Sequence, residues 1–175
     1  MHPAIIVALA HMTAFNVKDV EQFVAGMVFG LVQEDDLTKI EACMKDAGNL
    51  EVDVEEALSD FMKGDIKDII AGVQVVMRIV EELPADLGEC KDMQSDLDKI
   101  EAWIAAFTNV QHLIETLTTN LVKNFIDIET DIVKCSEDIS VGDMYTAGMD
   151  IADLMVKVLG PVPASQPEYL TITQW

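Results

Sequence analysis

The stretch Gly64 to Leu83, GDIKDIIAGVQVVMRIVEEL, most limits what this chain can fold into. Ile66, Ile69, Ile70, Val73, Met77 and Val80 recur at helical spacing and mark one face of an α-helix. Val75, Val76 and Ile79 widen that face until little polar surface is left. A helix apolar over most of its circumference must be surrounded by other elements. Gly64 can close a preceding helix, Asp65 can cap this one, and Pro84 should stop it. The expectation is a helical bundle with this helix at its centre.

Composition sharpens that expectation. Half of the 175 residues are hydrophobic, yet 11 Lys and Arg stand against 32 Asp and Glu, a net charge of −21. Disordered chains lack apolar residues. Here charge and apolarity coexist, which implies a dense interior under an anionic shell. Such a shell argues against nucleic acid, whose phosphates need Lys and Arg, and against anionic membrane surfaces. It suits solubility, cationic partners or weak divalent-ion binding. Pro3 to Ala10 resembles a short signal-like apolar segment without a basic start. No charge precedes Lys18, but that run contains His2, Pro3, His11 and Asn16, so it is a poor membrane span and reads better as a docked segment.

Cap residues divide the rest. Asn16 with Asp19 opens a helix from Val17 to about Val32, in which Gly26 and Gly30 suggest close helix packing. Glu34-Asp35-Asp36 opens a second helix to about Ala47, and Gly48-Asn49 is a turn. A third helix covers Glu51 to Met62, with Val52, Val54, Leu58 and Phe61 inward. After Pro84, Ala85 to Lys91 reads as a short helix. Ser95 with Asp98 reads as a capping box for a helix from Asp96 to Phe107. Asn109 can cap the longest helix, Val110 to Ile139. Gly142 and Asp143 separate that helix from Met144–Leu159, which Gly160-Pro161 ends. The tail finishes YLTITQW, aromatic and β-prone. Two short echoes occur: DLxKIEA at Asp36–Ala42 and Asp96–Ala102, and Gly-Asp before a helix at Gly64 and Gly142. They fit a duplicated helical hairpin or, slightly better, shared capping and surface chemistry.

Chemistry-bearing motifs are few. His2, His11 and His112 are the histidines. His112 and Glu115 share a helix face, but in the reverse of the Glu-x-x-His order that di-iron bundles use, and only once. An interface role for His112 fits better. No nucleophile elbow, phosphate loop, dinucleotide fingerprint or EF-hand loop is present. The acids Glu51-Asp53-Glu55-Glu56 and Asp127-Glu129-Asp131 read as solvated faces. Met27, Met44, Met62, Met77, Met144, Met149 and Met155 lie on or beside apolar stripes and read first as core, second as the lining of an apolar ligand cavity. The cysteines are Cys43, Cys90 and Cys135; an odd count allows one bridge and one free thiol, or an intermolecular bond, and no CxxC spacing suggests zinc.

From Val20 to Val162 the chain resembles a family of small all-helical secreted proteins from ciliated protozoa. The resemblance rests on IEACMKDAG around Cys43, KGDIKDIIAG, LPADLGECKDM around Cys90, DLDKIEAWIAAF, LIETLTTNL and VGDMYTAGMDIADLMVKVLGPV, in that order. Members tend to carry a signal peptide and the cysteines matching Cys43 and Cys90, which implies an intramolecular disulfide in an oxidising compartment. Cys135 is an extra, free or intermolecular, and the tail beyond Val162 departs from the family. The family brings no established activity and no functional residues to carry over.

The expected fold is therefore all-α: an apolar N-terminal segment (1–16), a single-domain bundle of six to seven helices (17–160) and an extended tail (161–175). The expected function is that of a non-catalytic, secreted or lumenal protein (extracellular, vesicular or granular) binding a small apolar ligand such as a lipid or pigment in the bundle interior. The alternative is a structural or assembly protein that docks to partner chains, or to itself, through its apolar N-terminus and aromatic tail. No cofactor, metal, nucleic acid or transmembrane span is expected.

Overall fold

The helices begin and end largely where the cap residues stand. A computed structural model describes residues 3–11, 15–44 and 47–163. Among them are eight α-helices: α1 (Pro3–His11), α2 (Val17–Val32), α3 (Leu37–Cys43), α4 (Gly48–Lys63), α5 (Ile66–Asp86), α6 (Gln94–Ala105), α7 (Val110–Val141) and α8 (Met144–Leu159). A 3-10 turn, Lys91–Met93, leads into α6. The described residues contain no strand, so the chain is all-α, with seven helices after the apolar N-terminal one. No described helix is long and apolar enough to cross a membrane. The aromatic ending, 164–175, lies outside the described residues.

At Asn16 the full capping box forms: its side chain accepts from the Asp19 amide and Asp19 accepts from the Asn16 amide, both at 3.0 Å. Asn109 accepts from the His112 amide and Asp143 from the Thr146 amide, satisfying donors that open α7 and α8. Gly64 and Gly142 close α4 and α7 with φ of 77° and 80°, the left-handed conformation that costs glycine least. Each leads through one Asp into the next helix, so α4–α5 and α7–α8 are tight antiparallel hairpins.

The centre of the bundle is α8, not α5. Asp153 is the one exposed residue of α8, whereas Lys67, Gln74, Arg78 and Glu81 give α5 a solvent stripe. α8 packs against α2 on one side and α7 on the other. The α2 contact is possible because both helices are small where they cross. A Cβ on Gly26 would strike the Tyr145 carbonyl, one on Gly148 the Phe23 carbonyl, and one on Gly30 the Ala152 methyl. The far end of α8 is closed by other helices. Asn120 donates to the Val158 carbonyl (2.9 Å), Asn124 to Lys157 (3.2 Å) and Trp103 Nε1 to Gly160 (3.1 Å). These bonds take up C-terminal carbonyls that a helix cannot satisfy itself. Asn124 itself has non-helical φ/ψ, and α7 kinks there.

Six local expectations are corrected. Pro84 does not stop α5: its missing N–H breaks one bond, and the last turn closes through Leu87 N–H to Leu83 O (2.8 Å) with Leu87 buried. The expected short helix 85–91 is therefore replaced by the end of α5 and the 3-10 turn. Ser95 caps nothing, since α6 already starts at Gln94. α3 ends at Cys43, and α4 starts at Gly48 and turns Val52 outward.

Candidate functional site

α1 lies on α7 and reaches α4, with Ala8 wholly buried. Beside that seam is an open groove of about 460 Å³. Its walls are Ile5 from α1, Gly64 from the α4–α5 turn, and Ile126, Glu129, Thr130, Ile132 and Val133 from α7. Thr130 turns its hydroxyl back to the Ile126 carbonyl (2.9 Å), which leaves the groove few polar groups. A second hollow of about 290 Å³, formed by 122–127 at the α7 kink, shares Ile126 with the groove. Val122 and Ile126 are 70 % and 77 % exposed, one turn apart on the same face of α7.

The methionine stripes are filled interior. Met27, Met44, Met62, Met77, Met144 and Met155 are buried in one continuous core. Phe23 and Phe61 are among its largest side chains. A space for an apolar guest therefore appears at the surface beside α1, where the sequence alone pointed inward.

The structure joins Cys43, at the end of α3, to Cys90, before the 3-10 turn, in a disulfide with Cα atoms 5.6 Å apart. Cys135 is unbonded and buried in α7, and burial pushes its thiol pKa well above the ordinary value. It is a packed side chain with little thiolate character. His112 is exposed and stacks flat on Phe107, ring centroids 6.2 Å apart. Glu115, beside it, accepts from Gln111 instead. His2 and the side chain of His11 lie outside what the structure describes.

The acidic clusters are not uniformly solvated. Asp53 is buried and accepts from Arg78 (2.6 Å), which also reaches Glu56 (2.6 Å). Asp131 is buried and accepts from Lys157 (2.5 Å), which also reaches Asp153 (2.9 Å). Burial raises the Asp131 pKa while Lys157 holds it down. Two further acids face other acids. Asp36, wholly buried, meets Asp96 of α6; Asp150 of α8 meets Asp138 of α7. Burial raises the Asp36 and Asp138 pKa values. Burial first, then the hydrogen bond and charge of Asp138, pushes Asp150 up to about 7. Asp36 and Asp96 occupy the same place in the two DLxKIEA echoes, so the echoes meet at their first residues. The order echo helix, long helix, Gly-Asp, helix occurs twice, as α3–α4–α5 and α6–α7–α8.

The model of the SctB-like family, described as secreted protein B-like, matches residues 6–159. The chain belongs to the secreted protein B-like family. The match takes in α2 to α8 and most of α1, and so the α7 wall of the groove, while Ile5 on the α1 side lies just before it. No curated protein and no solved structure matches the chain.

Proposed function

We propose that the chain is a non-catalytic, secreted or lumenal carrier that holds a small apolar ligand in the groove between α1 and α7. The observation that carries this reading is the groove: about 460 Å³, walled mainly by Ile5, Ile126, Ile132 and Val133. That volume lies within the range of small-molecule sites, and such sites combine apolar walls with a few polar groups. Glu129 at the groove and the net charge of −21 favour a neutral or cationic ligand over a fatty acid. The family description supports secretion, and secretion fits a Cys43–Cys90 bridge with Cys135 left as a free thiol. A ciliate origin belongs to the same reading and rests on the sequence resemblance.

The test is titration with the neutral probe Nile red of the wild-type chain and of Ile126→Asp. Ile126 is exposed enough for the variant to fold. Saturable, near-stoichiometric binding that the variant loses supports the carrier. Equal binding by both proteins, or none, contradicts it. One observation favours assembly as a second reading: Val122 and Ile126 form an exposed apolar turn that extends beyond the groove. Concentration-dependent dimers abolished by Ile126→Asp, without probe binding, would select it.

A further inference from the structure

Two carboxyl oxygens, Asp36 Oδ2 and Asp150 Oδ2, are buried and have no donor among the described residues. Each belongs to an acid that meets a second acid on another helix: Asp36 before α3 meets Asp96 in α6, and Asp150 in α8 meets Asp138 in α7. Two ionised carboxylates only accept hydrogen bonds, so neither pair can close as a pair of anions. One proton per pair supplies the missing donor and removes the like-charge repulsion.

We infer that the two acid pairs are proton-dependent clasps, holding the entry of α3 to α6 and α7 to α8 when one proton is shared and loosening those contacts when it leaves. This goes beyond the ligand reading and does not rest on it.

The surroundings set which pair responds more strongly. Around Asp36–Asp96 stand Lys39 and Lys99, each paired to the Asp three residues before it, together with Asp35, Asp92 and the Tyr145 hydroxyl from α8. The two lysines compensate part of the charge that appears on deprotonation. Around Asp138–Asp150 stand Asp131, Lys134, Glu137 and the thiol of Cys135 on α7, and Asp143 at the α7–α8 turn. There the acids outnumber the single lysine, and Lys157 is already held by Asp131 and Asp153. The α7–α8 clasp is therefore the more sensitive, and it lies on the central helix.

The sign follows from linkage. An Asp that keeps its proton to about pH 7 when folded, but releases it near 4 when unfolded, stabilises the folded state at acidic pH. That stability fades as pH rises across the interval. A chain this anionic also loses general self-repulsion on acidification, so a surface control is needed. The experiment compares thermal midpoints at about pH 5 and about pH 7.5 for the wild type, Asp150→Asn and the exposed-site control Asp127→Asn. Asparagine carries the donor permanently. Asp150→Asn should lose most of the wild-type shift by gaining stability at the higher pH, and Asp127→Asn should keep the shift. Carboxyl carbon NMR of the wild type reads the same pair directly and needs no variant: one Asp138–Asp150 proton should leave near neutrality. Both carboxyls titrating in the ordinary acid range, or a pH shift unchanged in a folded Asp150→Asn, would overturn the inference.

Discussion

At the scale of the residue, small side chains and amides do work that hydrophobic patterning does not announce. Gly148 sits where α8 crosses α2, and its missing Cβ is what lets the Phe23 carbonyl approach. Gly148→Ala should destabilise the fold by about 3 kcal/mol, because the obstacle is backbone that cannot rotate away. Urea unfolding checks this: the midpoint should fall with an unchanged slope. Asn120 and Asn124 look in the sequence like ordinary polar positions of a long helix; in the structure they donate to the end of α8. Asn120→Ala should cost about 1–2 kcal/mol, the consequence of leaving the Val158 carbonyl without its donor. Gly26 and Gly30 were legible as a close-packing signal. Gly148 and Ala152, their counterparts at the same spacing, carried the same signal in the sequence.

At the scale of the element, caps were the most readable part. Asn16, Asn109, Gly142 and Asp143 do locally what local chemistry predicts, because a cap needs only neighbours within one turn. What failed depended on distant neighbours. Pro84 lies within the last turns of α5 because burial of Leu83 and Leu87 holds that end in place. Ser95 lost its capping role to the 3-10 turn that follows Cys90. The acid clusters concealed Asp53 and Asp131, whose partners Arg78 and Lys157 lie on other helices. Lys157→Ala should therefore cost about 3 kcal/mol at neutral pH, since it strands Asp131 as a buried unpaired charge. The loss should shrink as pH falls and Asp131 takes up a proton, and chemical denaturation at two pH values checks the sign. The Cys43–Cys90 bridge spans 47 residues and fixes α3 relative to the start of α6. Reduction should lower stability by about 2–4 kcal/mol, visible as a drop in thermal midpoint with and without reductant.

At the scale of the molecule, apolar content predicted a dense all-helical bundle correctly, but not which helix stands in the middle. α5 has the most conspicuous apolar run; α8 has the fewest exposed positions because α2 and α7 flank it. Periodicity reports a helix's own faces and says little about how many neighbours cover them. The groove could not be read from the sequence for the same reason: Ile5 and Ile126 are 121 residues apart and meet only through the docking of α1 on α7. We propose that this groove carries a small apolar molecule. Native mass spectrometry of the protein from its natural source, followed by denaturation without reductant, tests it most directly. The native mass should exceed that of the chain by about the mass of one small ligand of groove volume, and the excess should be lost on denaturation. A native mass equal to the bare chain, or to its whole multiples, would contradict the claim.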